Sequence, residues 1–493
     1  MEQTQIESTE AARNARSGNG VPLVVDLDGT LLRSDTLEEV VVRHVIRGPW
    51  RLVCAVFVWL FRGRAGLKAW LFRDHGIQVD RLPYDERVLA WLEEERRDGR
   101  NLVLATGTDL KVARDIADHL QMFGVVFASD GKTNLKGTKK AERLAQEYPG
   151  GFDYAGNSRS DVEVWERARA AVLVNAPPSV SRKARSQGNV TREFPPVRGT
   201  GGLLRAMRPH QWAKNLLVAV PMLTSRGWGE VERWPPVALA FLSLCLLASA
   251  VYLFNDVLDI EADRAHPRKK RRPFASGEAS PLQGLVLAAG LLCGGVWLGW
   301  LAGGVIWALG YFALSTAYSL GLKRLLLVDV FILAVLYALR ILIGGQVSGY
   351  YASDWLVAFS AFFFLGLALG KRVTETGVWP TATAFEVAGR AYRQGDGLIL
   401  TVMGVASGFV SCLLLALYLQ DEAVKAQYVQ PDWLWGVCCI VLLWICRVWM
   451  LISRGTMHDD PVLFAVRDRW SWGSGVGAVF CFLAASGKLP IAA

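Results

Sequence analysis

The chain has 493 residues, 52% of them hydrophobic, with 54 Lys and Arg against 45 Asp and Glu, a formal net charge of +9. Apolar content this high, unevenly spread, excludes an ordinary soluble globular protein and points to a membrane protein with a water-facing part. Up to about residue 205 the sequence is charged and interrupted; beyond it, apolar blocks of membrane-spanning length recur almost to the end. The eight cysteines (Cys54, Cys245, Cys293, Cys412, Cys438, Cys439, Cys446 and Cys481) lie mostly in apolar segments without C-x-x-C spacing. They are read as small buried hydrophobes, which leaves no disulfide framework and no zinc site.

Residues 1–20 are polar and lack an apolar signal core, so a disordered start and an unexported N-terminal unit are expected. Pro22–Thr30 reads PLVVDLDGT, an apolar strand of the parallel type that delivers Asp26 and Asp28 two residues apart and then a glycine. Arg47–Arg73 follows, with an apolar run from Trp50 to Phe61 that is too short to cross a bilayer and is flanked by Arg47, Arg51, Arg62 and Arg64. It is either an interfacial helix or hairpin or a helix packed on the protein. Helical patterns over 85–97 and 109–123 then alternate with NLVLATGT (Asn101–Thr108), NLKGTKKAERL (Asn134–Leu144) and FDYAGNSRSD (Phe152–Asp161). Alternating strands and helices predict a parallel α/β sheet over 21–176, with its ligand at the C-terminal strand ends. Residues 177–204, rich in Pro, Arg, Ser and Gly, are expected to be a mobile or extended linker.

In this order the motifs resemble the haloacid dehalogenase phosphatase family, with its cap near 36–84. The resemblance implies that Asp26 attacks phosphorus and forms an aspartyl phosphate, while Asp28 protonates the leaving alkoxide and then activates water. It implies that Thr106 bonds a phosphate oxygen and that a lysine, Lys140 or Lys139, neutralises the transferred group. A Mg2+ ion would be held by Asp26, Asp28, Asn157 and Asp161. Asn157 departs from the family's aspartate, which puts metal affinity in doubt. A catalytically dead regulatory domain is the alternative.

Residues 205–493 are expected to form an all-α polytopic domain. Nine apolar segments are read, near 212–226, 236–256, 283–302, 304–320, 326–345, 354–370, 398–419, 432–453 and 471–487. With the N-terminus in the cytoplasm, the connections after the even-numbered segments hold most of the loop Lys and Arg, among them Arg264, Arg268–Arg272, Lys323, Lys371, Arg372 and Arg467. The opposite connections and the tail hold Arg226, Arg233, Lys425 and Lys488, as the positive-inside rule requires. The basic excess is thus spent at the membrane, and no nucleic-acid partner is expected. At the end of the second segment stands N-D-x-x-D-x-x-x-D, formed by Asn255, Asp256, Asp259 and Asp263. Spacings of three, four and seven put the three carboxylates on one helical face. Beside the run Arg268–Arg272, that is the pattern of a Mg2+-diphosphate site, since carboxylates near an anionic leaflet gain nothing unless they bind a cation.

The stretch YLFNDVLDIEADRAHPRKKRRPFASG resembles the UbiA superfamily of intramembrane prenyltransferases, and within it the branch of decaprenyl-phosphate phosphoribosyltransferases. RPHQWAKN with Lys214, AYSLGLKR with Tyr318 and Lys323, RILIGG from Arg340, GKR with Lys371 and Arg372, and DPVLFAVRDR with Arg467 support it in order. Where aromatic prenyltransferases carry a second Asp-rich motif, this chain reads GKRVTETG. Exchanging carboxylates for Lys and Arg removes a metal site and makes a phosphate site. The resemblance implies transfer of 5-phosphoribosyl from phosphoribosyl diphosphate to a polyprenyl phosphate, followed by dephosphorylation to a polyprenyl-phosphoryl ribose. It implies a Mg2+ ion on Asn255, Asp256 and Asp259, one such ion in each domain, and anionic substrate held by Lys214, Asp263, Arg271, Arg272, Tyr318, Lys323, Lys371, Arg372 and Arg467. A bacterial inner-membrane location, both active sites on the cytoplasmic side and possible homo-oligomers complete the expectation. The rivals are an aromatic prenyltransferase with a fused phosphatase and a membrane-anchored regulatory phosphatase.

Overall fold

The computed structural model describes residues 20–48, a few positions between 54 and 73, and 77–130, 134–196, 200–225, 229–376, 391–426, 428–457 and 461–487. The expected disordered start and most of the Arg47–Arg73 segment lie outside the described residues. Within that segment Phe57, Leu60 and Phe61 are exposed.

Six strands, β1 (Leu23–Val25), β2 (Leu102–Asp109), β3 (Val125–Ser129), β4 (Asp153–Gly156), β5 (Ala170–Val174) and β6 (Val190–Phe194), form one sheet in the order β3-β2-β1-β4-β5-β6. Every pairing is parallel. Central strands of such a sheet are buried on both faces and read as unbroken apolar runs. In β1, Leu23 and Val25 join Val88, Leu92 and Ile116 on one side, and Val24 joins Leu144, Tyr154 and Trp165 on the other. The flanking helices include α1 (Thr36–Arg47), α2 (Glu86–Arg97), α3 (Leu110–Leu120), α4 (Thr138–Glu147) and α5 (Pro178–Arg185). Asp35, Asp85 and Asp109 cap α1, α2 and α3 by accepting backbone N–H groups of the first turn. The registers of β1 with β2 and with β4 bring the residues after Val25, Ala105 and Gly156 to one edge of the sheet.

The stretch expected to be a linker is largely structured. Residues 178–185 are α5, with Val180 and Ala184 buried, and β6 pairs with β5 from Ala171↔Val190 to Val174↔Phe194. Contacts divide the chain into two compact units, residues 1–207 with 253–287, and residues 208–252 with 288–493. The connection carrying the Asp array therefore groups with the α/β domain.

Among the described residues six helices are long and apolar enough to cross a membrane: Val231–Leu258, Pro281–Leu301, Val328–Ser348, Asp354–Thr376, Gly397–Gln420 and Pro431–Ser453. The count of nine is not reached. The first segment breaks into a 3-10 stretch, Pro209–Ala219, and a short helix, Val220–Thr224, that contains Pro221; proline removes a helical hydrogen bond. The fourth and ninth are helices of 16 and 17 residues, Val305–Leu320 and Arg469–Ala485. The helices are labelled α6 (Trp234–Leu258), α7 (Ile260–Ala265), α8 (Pro281–Leu301), α9 (Val305–Leu320), α10 (Val328–Ser348), α11 (Asp354–Thr376), α12 (Gly397–Gln420), α13 (Leu434–Ser453) and α14 (Arg469–Ala485). Small residues set the spacing of α11, α12 and α13: a Cβ at Gly404 would meet the Trp449 ring at 2.3 Å, and one at Gly408 would meet Ile445 at 2.8 Å. Without a hydrophobic drive between helices in lipid, such close approach is what holds them.

Candidate functional site

The first candidate centre lies at the C-terminal ends of β1, β2 and β4. Asp26 follows β1 directly and its backbone N–H donates to the Ala155 carbonyl, which fixes it against β4. Lys140 is buried on the inner face of α4, whereas Lys139 is exposed. Lys140 Nζ donates to Asp26 Oδ1 at 2.8 Å and to the Tyr154 hydroxyl at 2.8 Å, and lies 3.7 Å from Asp161 Oδ1. Tyr154 in turn donates to Asp161 Oδ1 at 2.8 Å. Asp161 Oδ2 accepts from the N–H groups of Asn157 and Ser158 and from the Ser158 hydroxyl. Asp28 is held from two sides: Oδ1 accepts from the Thr36 N–H at 2.8 Å, and Oδ2 from the Thr108 hydroxyl at 2.6 Å. Thr106, fully buried, accepts the Thr108 N–H.

Burial drives the electrostatics. Asp26 is raised to about 7 by desolvation, which outweighs the Lys140 charge beside it. Asp28 is raised to about 6 by desolvation and then by the charge of Asp35, against its hydrogen bonds from Thr108 and Thr36. Burial disfavours the charged form of Lys140, but the carboxylates of Asp26 and Asp161 overcome it and raise the ammonium. Burial acts against Asp161 as well; Lys140 and Ser158 hold it below the usual carboxylate range. A carboxyl raised in this way by burial, as Asp28 is, suits both donation and removal of a proton.

Among the described residues no cluster of three or more His, Cys, Asp or Glu is disposed to hold a metal. The first centre instead offers Asp26 and Asp28 with the Asn157 Oδ1, which is buried and has no hydrogen-bond partner. An orphan amide oxygen following β4 and two carboxylates following β1 are donors of the hard-oxygen type that Mg2+ takes. Asn157 also explains Gly29, whose φ is +74°: a Cβ there would meet the Asn157 side-chain nitrogen at 1.9 Å. Asp161 has both oxygens engaged by Tyr154, Asn157 and Ser158, so its geometry is that of a residue that orients Lys140.

The second centre is the acidic array. Helix α6 ends at Leu258 and α7 starts after Asp259, but the i to i+4 backbone bonds continue through the step: Asp259 N–H to Asn255 and Asp263 N–H to Asp259. Asp256 and Asp263 are buried. Arg272 bridges them, its Nη1 donating to Asp256 Oδ1 at 3.1 Å and to Asp263 Oδ2 at 2.8 Å. Desolvation raises Asp263, with Arg272 opposing. Arg271 is exposed at the end of a 3-10 turn. Arg264, which sequence reading noticed only as loop charge, makes a two-pronged pair with Glu39 of α1 at 2.6 and 3.1 Å. The signal for such a pair is absent from sequence, since the partners are 225 positions apart. Asn255, Asp256 and Asp259 supply oxygen donors of the kind Mg2+ takes.

The remaining expected residues belong to the helical unit. Lys323 sits in the 3-10 turn Leu322–Arg324, Lys371 is half-buried near the end of α11, and Arg467 is exposed at the end of Pro461–Arg467. Lys214 places its ammonium 5.6 Å from the Tyr337 ring centre. Arg372 departs from expectation: it is fully buried, with Nε 2.8 Å from Asp329 Oδ2, Nη1 on Glu375 and Nη2 3.4 Å from the Tyr318 hydroxyl. Two carboxylates already balance its charge. Asp329, also fully buried, was missed by sequence reading; its signal is a lone carboxylate in the apolar run VDVFIL.

A parallel α/β domain with a D-x-D pair is joined on one chain to a helical domain with six candidate membrane spans and an acidic array, the build of a multi-pass membrane protein with a folded α/β domain. The chain belongs to the UbiA prenyltransferase family, whose sequence profile matches residues 217–472. It is 36% identical over 470 residues to Uncharacterized protein y4nM of Sinorhizobium fredii, covering 94% of this chain and 91% of that one. It is 38% identical over 191 residues to Decaprenyl-phosphate phosphoribosyltransferase of Mycolicibacterium smegmatis, covering 37% of this chain and 59% of that protein. Among solved structures, phosphoserine phosphatase in apo form matches over 36% of this chain and 94% of its own, at 18% identity and a TM-score of 0.27, a likeness too distant to bear on chemistry.

Proposed function

We propose that this protein transfers 5-phosphoribosyl from phosphoribosyl diphosphate to a polyprenyl phosphate and then removes the 5-phosphate, leaving a polyprenyl-phosphoryl ribose. The observation that carries the reading is the pairing, on one chain, of an acidic array of the diphosphate type with a phosphatase-like centre. Such a pair fits a transfer whose product still bears a phosphate monoester. The similarity to decaprenyl-phosphate phosphoribosyltransferase supports the same substrate class.

In the transfer step the bond from ribose C1 to the diphosphate breaks, its electron pair leaving with the diphosphate, and an oxygen of the lipid phosphate bonds to C1. Mg2+ on Asn255, Asp256 and Asp259 would supply neutralisation of the leaving group. Asp263 keeps Arg272 against the array. The lipid phosphate is itself a competent nucleophile, so no general base is assigned. Lys371 is assigned the 5-phosphate, with Lys323, Tyr318, Arg271 and Arg467 as further contacts to anionic substrate. Arg372, balanced by Asp329 and Glu375, is assigned to hold Tyr318 in place.

In the second step Asp26 attacks phosphorus while Asp28 gives its proton to the departing ribose 5-oxygen; Asp28 then takes a proton from the water that hydrolyses the aspartyl phosphate. Lys140 and Thr106 stabilise the transferred group. Mg2+ with Asp26, Asp28 and Asn157 would supply charge neutralisation there too. The membrane is proposed to be a bacterial inner membrane, with both sites on the cytoplasmic side, as the loop charges suggest.

The test is to incubate the purified protein with labelled phosphoribosyl diphosphate, a polyprenyl phosphate and Mg2+ and to identify the lipid product. Label in a ribosyl lipid is expected, and Asp256→Ala or Asp259→Ala should lower its formation by about 10³-fold. Transfer within twofold of wild type in both variants would remove the array from the mechanism.

A further inference from the structure

Arg340 lies inside a helix long and apolar enough to cross a membrane, and among the described residues no carboxylate pairs with it. It stands twelve residues beyond Val328, the first residue of α10, or about 18 Å along the helix at 1.5 Å per residue. The residue is 7% exposed. Its Nε donates to Asn215 Oδ1 at 2.9 Å, its Nη2 to the Tyr311 hydroxyl at 2.9 Å, and its Nη1 to the Leu336 carbonyl. The guanidinium centre lies 4.9 Å from the Tyr311 ring centre and 5.3 Å from that of Tyr337. Among the described residues every one of these partners is neutral. The fully buried Arg372 of the same unit is balanced by Asp329 and Glu375, and the partly exposed Arg447 pairs with Asp468 at 2.7 and 3.0 Å.

A second cation shares the environment. The Lys214 ammonium lies 5.6 Å from the Tyr337 ring centre, so one ring serves both cations. Ring faces attract cations, but two cations on one ring repel each other. A guanidinium has five N–H donors, and three bonds leave one further N–H on each Nη nitrogen. Two free N–H groups in one plane match two oxygens of a phosphate. A charged residue in a membrane span is tolerated when it meets an opposite charge in the bundle or serves a substrate.

We propose that Arg340, with Lys214, binds a phosphate monoester, while Asn215, Tyr311 and Tyr337 hold the guanidinium in place. The inference rests on the transferase reading, in which two such groups occur: the monophosphate of the lipid acceptor and the 5-phosphate of the donor. Both offer the same dianionic head, and binding measurements separate them.

The experiment uses the full chain in lipid nanodiscs and measures dissociation constants for a polyprenyl monophosphate, the corresponding polyprenol and ribose 5-phosphate. Wild type is expected to prefer the monophosphate over the polyprenol by about 30-fold, the scale of hydrogen bonds to a charged group. Arg340→Met should collapse that preference to about threefold while polyprenol affinity stays put, and Arg340→Lys should retain part of it. If ribose 5-phosphate is the ligand that loses affinity, the donor's 5-phosphate is the occupant. Should Arg340→Met fail to fold, Lys214→Met is read in its place, with the same loss of preference. Equal weakening of monophosphate and polyprenol would overturn the proposal and leave Arg340 a packing residue. A wild-type preference untouched in Arg340→Met and Lys214→Met, with ribose 5-phosphate affinity unchanged as well, would also overturn it. The transferase reading fails separately, when wild type keeps the preference yet forms no ribosyl lipid.

Discussion

Lys140 and Arg272 each stand between two carboxylates, yet the two cations are held in different ways. Lys140 is 3% exposed, on the inner face of a helix that packs on the sheet, and joins Asp26, Tyr154 and Asp161. Arg272 has a side chain 29% exposed on an irregular connection, and bridges Asp256 and Asp263 through a single nitrogen. A cation buried this deeply is a permanent part of its centre: taking it away would strand two buried carboxylates. Arg272, partly exposed on a connection, is less firmly enclosed, so on the proposed mechanism its charge and that of a metal would act on the same array. The proposed phosphatase centre keeps its cation in place, whereas the array holds one at its rim.

The largest effect expected from this contrast is at Lys140. Lys140→Met should lower dephosphorylation by about 10³-fold, because it removes both the charge on the transferred group and the partner of Asp26 and Asp161. Transfer should continue, which an assay on the lipid product separates. At Asn157 the comparison sharpens: Asn157→Asp adds a charge to a set that already has an unused oxygen, so the Mg2+ concentration for half-maximal phosphatase activity should fall about tenfold. An unchanged Mg2+ requirement would show that Asn157 does not face the ion. Arg272→Gln should act in the same direction at the array but more weakly, lowering the Mg2+ needed for half-maximal transfer by about threefold. A rise in the KM for phosphoribosyl diphosphate, with no change in Mg2+ dependence, would return Arg272 to the role of a substrate contact.

The smallest effect concerns stability alone. Asp85, fully buried, receives Arg87, Asn175 and Arg33, and these outweigh burial to hold it at about 2 against an ordinary 3.8. A depressed carboxylate contributes stability that is fully present above its unfolded value and is lost as pH falls through its folded value. The loss should fall between about pH 4 and pH 2 and amount to about 2 kcal/mol. Thermal unfolding in detergent should show that fall for wild type and a flatter profile for Asp85→Asn.

What the sequence revealed, and what it hid, follows from distance along the chain. Asp26 and Asp28 sit in a short stretch whose residue order carries its geometry, and the strand pattern was legible for the same reason. The linker expectation failed because β6 is an edge strand with Thr191, Arg192 and Glu193 exposed, so it lacks the apolar run that marked β1. The span count failed where apolar composition outran helix length, as in Val305–Leu320, or where Pro221 interrupts. Arg340 lies inside an apolar run and Arg372 at the end of one, and the sequence shows no partner for either. Only the fold reveals that one meets Asp329 and the other meets tyrosines and an amide.

The central claim, that the two centres act in sequence on one lipid, is tested most directly by Asp26→Asn, which keeps the size of the side chain and removes the nucleophile. Supplied with labelled phosphoribosyl diphosphate and a polyprenyl phosphate, this variant should accumulate the 5-phosphorylated lipid while wild type yields the ribosyl lipid, one phosphate lighter by mass spectrometry. Release of the dephosphorylated lipid by Asp26→Asn at the wild-type rate, or a wild type that never removes the phosphate, would contradict the account.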